Sequence, residues 1–139
     1  MFTDYKTKFT EPSQFHIRKE IILLLGTDLE GSTAMRRTLE AVGFPVLIAD
    51  SCEQAAALFR SFNGAIRLLI IDIALPGEGV LEVIAALRES NPTLKVIVAS
   101  KEVSPRERHA IHIAGVIELI GKPVDKEQLL HVVHRIVEK

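Results

Sequence analysis

Short aliphatic runs alternate with longer amphipathic segments through most of this chain. The runs have the length of strands, and the segments between them place apolar residues on one face at helical spacing. The predicted strand and helix pairs are residues 20–25 and 32–42, 46–49 and 52–62, 68–71 and 80–87, 96–99 and 105–113, and 116–120 and 126–137. The pattern therefore predicts five consecutive strand–helix units.

Several predicted strands are apolar at nearly every position, as in the LLII run at 68–71. Such strands are buried on both sides, which is typical of a parallel sheet covered by helices on both faces. We therefore expect a doubly wound α/β fold of the flavodoxin-like class. In such sheets ligands bind beyond the carboxyl ends of the strands, where strand order reverses.

Local signals support two of the helix starts. Ser51 with Gln54, and Ser104 with Glu107, have the spacing of a capping box. Pro105 occupies the favourable first helical position. We expect helices to begin directly after Ser51 and Ser104.

The first 18 residues are polar, contain Pro12 and follow neither period, which predicts a flexible N-terminal arm before a domain at 19–139. A chain of 139 residues has room for one ordinary domain. The N-terminus lacks the features of a secretory signal, and no apolar run approaches the ~20 residues that span a bilayer. We expect no membrane segment.

Charge and cysteine usage narrow the function classes. Lys and Arg number 17 against 18 Asp and Glu, a net charge of −1, and no block of like charges suggests nucleic-acid binding. The single Cys52 cannot form an intrachain disulfide, which fits a cytoplasmic protein. Cys52 opens a predicted helix, and we expect it to be a small half-buried residue rather than a reactive thiol.

Three polar side chains follow predicted strands at the carboxyl edge of the sheet. Asp72 ends the third strand, Ser100 follows the fourth, and Lys122 follows the fifth. A carboxylate, a hydroxyl and an ammonium at one edge suit a nucleophilic Asp72 that accepts a group from a donor. Ser100 and Lys122 would then stabilise the negative charge that develops on the transferred group.

At these positions the chain resembles the receiver domain of bacterial two-component response regulators, the CheY-like family, over roughly residues 19–138. The matching segments are LLIIDIALPG with Asp72 and Pro76, KVIVAS with Ser100, and LIGKPV with Lys122 and Pro123. The resemblance implies strand order 2-1-3-4-5 and a cis bond before Pro123. It also implies that Asp72 accepts a phosphoryl group from a histidine kinase or phosphotransfer protein, with Lys122 and Ser100 holding the phosphoryl oxygens.

The first strand departs from the family pattern. Receivers carry an acidic pair after this strand to hold Mg²⁺, and the corresponding residues here are Gly26 and Thr27. Asp28 and Asp72 are then the remaining candidate metal ligands, a poor set for Mg²⁺. The sequence therefore predicts either phosphorylation with weakened Mg²⁺ dependence or a pseudo-receiver, in which Asp72 forms a standing ion pair with Lys122.

The signalling surface also departs from the family. Leu119 stands where receivers carry an aromatic switch residue on the fifth strand. By resemblance, a downstream protein or a second copy in a homodimer would bind the face formed by helix 4, strand 5 and helix 5. The residues predicted for this face are Arg106, Arg108, His109, His112 and Arg135. We expect a protein-interaction module rather than a turnover enzyme.

Two other functions have weaker support. Residues 26–33 resemble a phosphate-binding loop without its lysine, which would suit a flavodoxin-like nucleotide or FMN-binding protein, whereas a plain turn capped by Ser32 is the simpler interpretation. Two helical histidine pairs, His109 with His112 and His131 with His134, could each offer two metal ligands, but solvated helix surface is the simpler interpretation.

Overall fold

The computed structural model describes residues 20–26, 29–62, 64–72, 78–101 and 103–137. Within these ranges strands and helices alternate strictly. They are β1 Ile21–Gly26, α1 Leu29–Glu40, β2 Val46–Ala49, α2 Cys52–Phe62, β3 Ile66–Asp72, α3 Glu78–Ser90, β4 Lys95–Ser100, α4 Pro105–Ile113, β5 Glu118–Gly121 and α5 Lys126–Val137. The predicted arm at 1–18 lies outside the described residues.

The five strands form one parallel sheet in the order β2-β1-β3-β4-β5. The chain reverses its direction of travel across the sheet after β2, so the switch point lies between β1 and β3. The predicted doubly wound fold and its strand order are confirmed. The cis bond implied between Lys122 and Pro123 is also present.

The sheet separates two apolar layers. Alternate residues of β3 point to opposite faces, so Leu69 and Ile71 enter one layer while Leu68 and Ile70 enter the other. Helices α2, α3 and α4 cover the first layer, and α1 and α5 cover the second. This double burial is why β3 is apolar almost throughout, and it brings the end of β3 into the middle of the domain.

Both predicted N-caps are present, with one difference in detail. Ser104 accepts from the N–H of Glu107, and the Glu107 carboxylate accepts from the N–H of Ser104, so that capping box is complete. Ser51 accepts from the N–H of Gln54, but the Gln54 side chain accepts from the N–H of Asp50 instead. Helices α2 and α4 begin where these signals place them.

The prediction for the first helix is wrong at its start. Helix α1 begins at Leu29 and contains Ser32, which therefore does not cap it. Ser32, Met35 and Leu39 are all buried, and their spacing of three and four residues places them on one helix face. Packing of this face against the sheet outweighs the preference of serine for the cap position.

Arg88 joins α3 to the turn that leads into β5. Its guanidinium donates to the carbonyl oxygens of Ala114 at 3.4 Å and Gly115 at 2.8 Å. Gly115 has φ +94°, and a Cβ there would lie 2.1 Å from a guanidinium nitrogen. Only glycine provides both the conformation and the space that this contact needs.

None of the helices in the described ranges is both long and apolar enough to cross a bilayer.

Candidate functional site

Asp72 ends β3 at the centre of the sheet. It pairs in register with Gly26 of β1 on one side and Ala99 of β4 on the other, and it is completely buried. A carboxylate is costly to bury unless it is paired or hydrogen-bonded. The groups that contact Asp72 therefore determine whether its carboxylate can stay charged at this edge of the sheet.

Lys122 supplies the positive charge. Its Nζ lies 2.6 Å from Oδ1 of Asp72, and only 11% of the Lys122 side chain is exposed. The backbone N–H of Lys122 donates to the carbonyl oxygen of Ser100 at 3.0 Å, which ties the residue after β5 to the end of β4. The predicted ion pair between Asp72 and Lys122 is thus present in the structure.

Ser100 completes the group of predicted residues at this edge. It ends β4, is 1% exposed, and pairs in register with Gly121, the residue before Lys122. Within the described part of the chain, Ser100 Oγ has no hydrogen-bond partner, and neither does Oδ2 of Asp72. Among the described residues, the site therefore contains a buried hydroxyl and a buried carboxylate oxygen without hydrogen-bond partners.

Gly26 closes the site on the β1 side. A Cβ at this position would lie 2.6 Å from the backbone oxygen of Asp72, 3.0 Å from its Cβ and 3.2 Å from Ser32 Oγ. The backbone of β1 therefore approaches Asp72 too closely for any side chain to fit at position 26 without a shift. Thr27 and Asp28, the other residues singled out after this strand, lie outside the described residues.

Ser32 is a site neighbour that the sequence did not reveal as one. It is completely buried, and its Oγ has no hydrogen-bond partner among the residues described. Its spacing with Met35 and Leu39 could have indicated a buried face, had the helix start been placed at Leu29. A serine on that face adds a polar atom beneath the edge that Asp72 occupies.

We expect Ser32→Ala to raise the free energy of unfolding by about 1 kcal/mol, because it removes a buried hydroxyl that lacks a partner. Ser61→Ala is the matched control, since Ser61 is an exposed helical serine on α2. Urea unfolding of both variants separates the burial effect from helix propensity, which the two share. If Ser32→Ala lowered the free energy of unfolding more than Ser61→Ala does, the Ser32 hydroxyl would have a hydrogen-bond partner after all, and the prediction would be wrong.

A pocket of about 350 Å³ opens beside the ion pair, between α1 and the start of α5. Asp72 and Lys122 form part of its wall, and Met35 and Leu129 supply apolar surface. Glu30, which is exposed on α1, contributes a second carboxylate to the lining. The pocket gives the buried Asp72 a direction from which a reactant could approach.

The described residues do not fit Mg²⁺. This ion favours several oxygen ligands in octahedral geometry, usually with carboxylates among them. Here Asp72 is already paired with Lys122, Gly26 has no side chain, and no described group of three or more His, Cys, Asp or Glu residues is placed to hold a metal ion. We therefore derive no chemical step through a metal at this site.

The histidine pairs, Cys52 and Ser32 are the remaining candidates from the sequence. The histidine pairs on α4 and α5 gain no third ligand in the described ranges, and the ring of His134 packs against Phe44 at 5.7 Å between centroids. Cys52 is half-buried, as expected. Ser32, the last candidate, is buried within α1, and residues 27 and 28 of the loop that the sequence singled out lie outside the described residues.

The residues predicted for the partner-binding face are all exposed. They are Arg106, Arg108, His109, His112 and Arg135. Two large apolar residues are also exposed, Ile113 at 69% at the end of α4 and Ile117 at 44% just before β5. Leu119, by contrast, is partly buried and packs against the core.

A parallel α/β sheet of this order, with a buried aspartate at its central strand end and a lysine paired to it, defines a receiver-like class of protein. The chain belongs to the response regulator receiver domain family, whose model matches residues 22–134. It is therefore a receiver domain of two-component signalling.

Two curated relatives show the range of similar proteins. The transcriptional regulatory protein CpxR of Escherichia coli K12 is 28% identical over 118 residues, covering 85% of this chain and 49% of CpxR. The photosynthetic apparatus regulatory protein RegA of Rhodobacter capsulatus is 28% identical over 108 residues, covering 78% of this chain and 58% of RegA. The chain thus spans about half the length of these relatives.

Solved structures show the same fold. A response regulator from Thermotoga maritima matches with a TM-score of 0.79 at 27% identity, over 88% of this chain and 100% of that one. A response regulator receiver protein from Pseudomonas putida matches with a TM-score of 0.73 at 27% identity, over 85% and 98% of the two chains.

Proposed function

We propose that this receiver domain accepts a phosphoryl group on Asp72, with a weakened dependence on Mg²⁺, and acts as a phosphoacceptor rather than a turnover enzyme. The donor would be a histidine kinase or a phosphotransfer protein. The observation that carries the proposal is the buried pair of Asp72 and Lys122, whose atoms lie 2.6 Å apart at the carboxyl edge of the sheet.

The chemistry follows from the groups at this edge. A carboxylate oxygen of Asp72 would attack the phosphorus of a phosphohistidine, so that an O–P bond forms as the N–P bond breaks and its electron pair returns to the imidazole. The ammonium of Lys122 would meet the charge of the phosphoryl oxygens. The hydroxyl of Ser100, which has no hydrogen-bond partner among the described residues, would donate to one of them.

The charge balance explains the weakened metal dependence. In a site with three carboxylates, a divalent cation is needed to hold the negative charges together. Here position 26 is a glycine and Asp72 has its counter-charge in Lys122. A Mg²⁺ ion would therefore neutralise fewer carboxylates here, and fewer carboxylates are available to coordinate it.

We expect incubation with acetyl phosphate to add one phosphoryl group to the chain, seen as a gain in intact mass, and Asp72→Asn to abolish the gain. The rate should fall less on replacing Mg²⁺ by EDTA than it does for a receiver with an intact acidic pair. That receiver, run in parallel, controls for the activity of the donor. No gain in mass while the parallel receiver is phosphorylated would overturn the proposal.

The same ion pair favours a second candidate, a pseudo-receiver that acts by binding partners without phosphate. The ammonium of Lys122 lies 2.6 Å from Asp72, and this ion pair must loosen before Lys122 can contact an incoming phosphoryl group. An absent mass gain, together with retained binding to a partner in Asp72→Asn, would establish this alternative.

Partner binding is proposed for the face of α4, β5 and α5. Exposed arginines and histidines occur on the same part of the chain as the exposed Ile113 and Ile117, and Arg135 is already paired with Glu118 at 2.6 Å, so this face offers apolar and basic side chains. A downstream protein with acidic side chains fits this surface, and a second copy of the chain is the other candidate.

A further inference from the structure

The hydroxyl of Ser32 is a buried polar group that the transfer to Asp72, as described so far, does not use. Ser32 is 0% exposed, and its Oγ has no hydrogen-bond partner among the described residues. A buried hydroxyl without a partner lowers stability, and such groups are rare in folded proteins. Its position relative to Asp72 therefore indicates what it is for.

Ser32 and the carboxylate of Asp72 lie on the same side of the sheet. Side chains alternate along β3, so Asp72 shares the face of Ile70, which α1 and α5 cover. A Cβ at Gly26, the partner of Asp72 in β1, would lie 3.0 Å from Asp72 Cβ and 3.2 Å from Ser32 Oγ. Asp72 Cβ and Ser32 Oγ are therefore no further apart than the sum of these two distances.

The glycine at position 26 leaves Ser32 and Asp72 facing each other. Any larger residue there would place its first side-chain atom between them, in contact with both. With no side chain at position 26, a hydroxyl from α1 lies on the β1 side of Asp72 instead. The polar group nearest this part of the site then comes from a helix rather than from the strand end.

The other groups assigned to the phosphoryl oxygens lie on the opposite side of Asp72. Ser100 ends β4 and Lys122 follows β5, whereas Ser32 approaches from the side of β1. A phosphoryl group brings three strong acceptor oxygens. Donors on two sides of Asp72 hold such a group in one orientation better than donors on one side.

We propose that Ser32 is a further binding residue for the phosphoryl group, and that its hydroxyl donates a hydrogen bond to the acyl phosphate formed on Asp72. This inference rests on the proposed function and deepens it. Ser32 exchanges no proton with the reactant, so the bonds that form and break are those already given. Because Oγ has no partner among the described residues before transfer, the whole of this hydrogen bond favours the transfer.

The initial rate at which acetyl phosphate adds mass to the full chain tests the proposal. Ser32→Ala is expected to lower this rate roughly tenfold, because it removes one hydrogen bond to a charged group. Ser61→Ala, which alters an exposed serine on α2, should leave the rate unchanged. Urea unfolding of the same samples verifies that Ser32→Ala is at least as stable as the wild type, so that poorer folding does not explain a lower rate.

Ser32→Cys separates the hydrogen bond from packing, because a thiol occupies similar space but is a weak donor. Under reducing conditions it should be phosphorylated about as slowly as Ser32→Ala. A wild-type rate in either variant would overturn the role of Ser32 and leave the proposed function intact, because Asp72 would still be phosphorylated. No gain in mass by the wild-type chain, while the parallel receiver is phosphorylated, would overturn both.

Discussion

Lys122→Met is expected to lower the free energy of unfolding by about 3–5 kcal/mol, because it leaves a buried carboxylate without its counter-charge. Asp72 is completely buried, and its Oδ1 lies 2.6 Å from Lys122 Nζ. The methionine keeps most of the apolar stem of the lysine, so the loss reports the charge rather than the packing. Urea denaturation of the wild-type chain and the variant measures the effect.

A double variant and a surface control complete the experiment. Asp72→Asn/Lys122→Met should recover most of the lost stability, because no buried charge then remains. Lys126→Met removes an exposed lysine from the wall of the same pocket and should change stability by no more than about 0.5 kcal/mol. If Lys122→Met cost no more than Lys126→Met, the carboxylate of Asp72 would not depend on Lys122.

Gly26→Ala is expected to lower the free energy of unfolding by about 1–3 kcal/mol, the usual range for forcing an extra methyl into a packed site. The added Cβ would lie 2.6 Å from the backbone oxygen of Asp72, and that oxygen cannot rotate away as a side chain could. The strain falls on the strand end that presents Asp72. Thermal and urea unfolding measure the loss.

Gly121→Ala is the matched control for this prediction. Gly121 ends β5 at the same edge of the sheet, yet a Cβ there meets nothing within 4 Å. We expect a change within about 0.5 kcal/mol for this variant. Similar losses in both variants would mean that the backbone of β1 does not approach Asp72 as closely as the structure shows.

The sequence predicted the fold well because its signals are local and repeated. The apolar run at 68–71 and the alternation around it are sufficient to predict a covered parallel sheet. Asp72, Ser100 and Lys122 follow three different strands, and parallel strands place their carboxyl ends at one edge. Their proximity therefore follows from topology alone, and the ion pair between Asp72 and Lys122 follows from their opposite charges.

What the sequence did not reveal depends on contacts across the fold. Ser32 has the chemistry of a helix cap, and only the packing of α1 against the sheet places it in the interior. The closeness of Gly26 to Asp72 depends on the spacing between β1 and β3, which no local pattern records. The partners of Arg88 lie 26 and 27 residues along the chain, in a turn that periodicity does not describe.

The hydrogen bonds of Arg88 also couple α3, which follows Asp72 in the chain, to the turn before β5, which leads to Lys122. In the sequence, α3 is the first helix after Asp72. The turn at Ala114 and Gly115 comes before β5, and β5 ends at Gly121, one residue before Lys122. A rigid displacement of α3 must either carry that turn with it or break two hydrogen bonds. Backbone amides of β5 and the C-terminal end of α3 should therefore exchange with solvent deuterium as one cooperative unit.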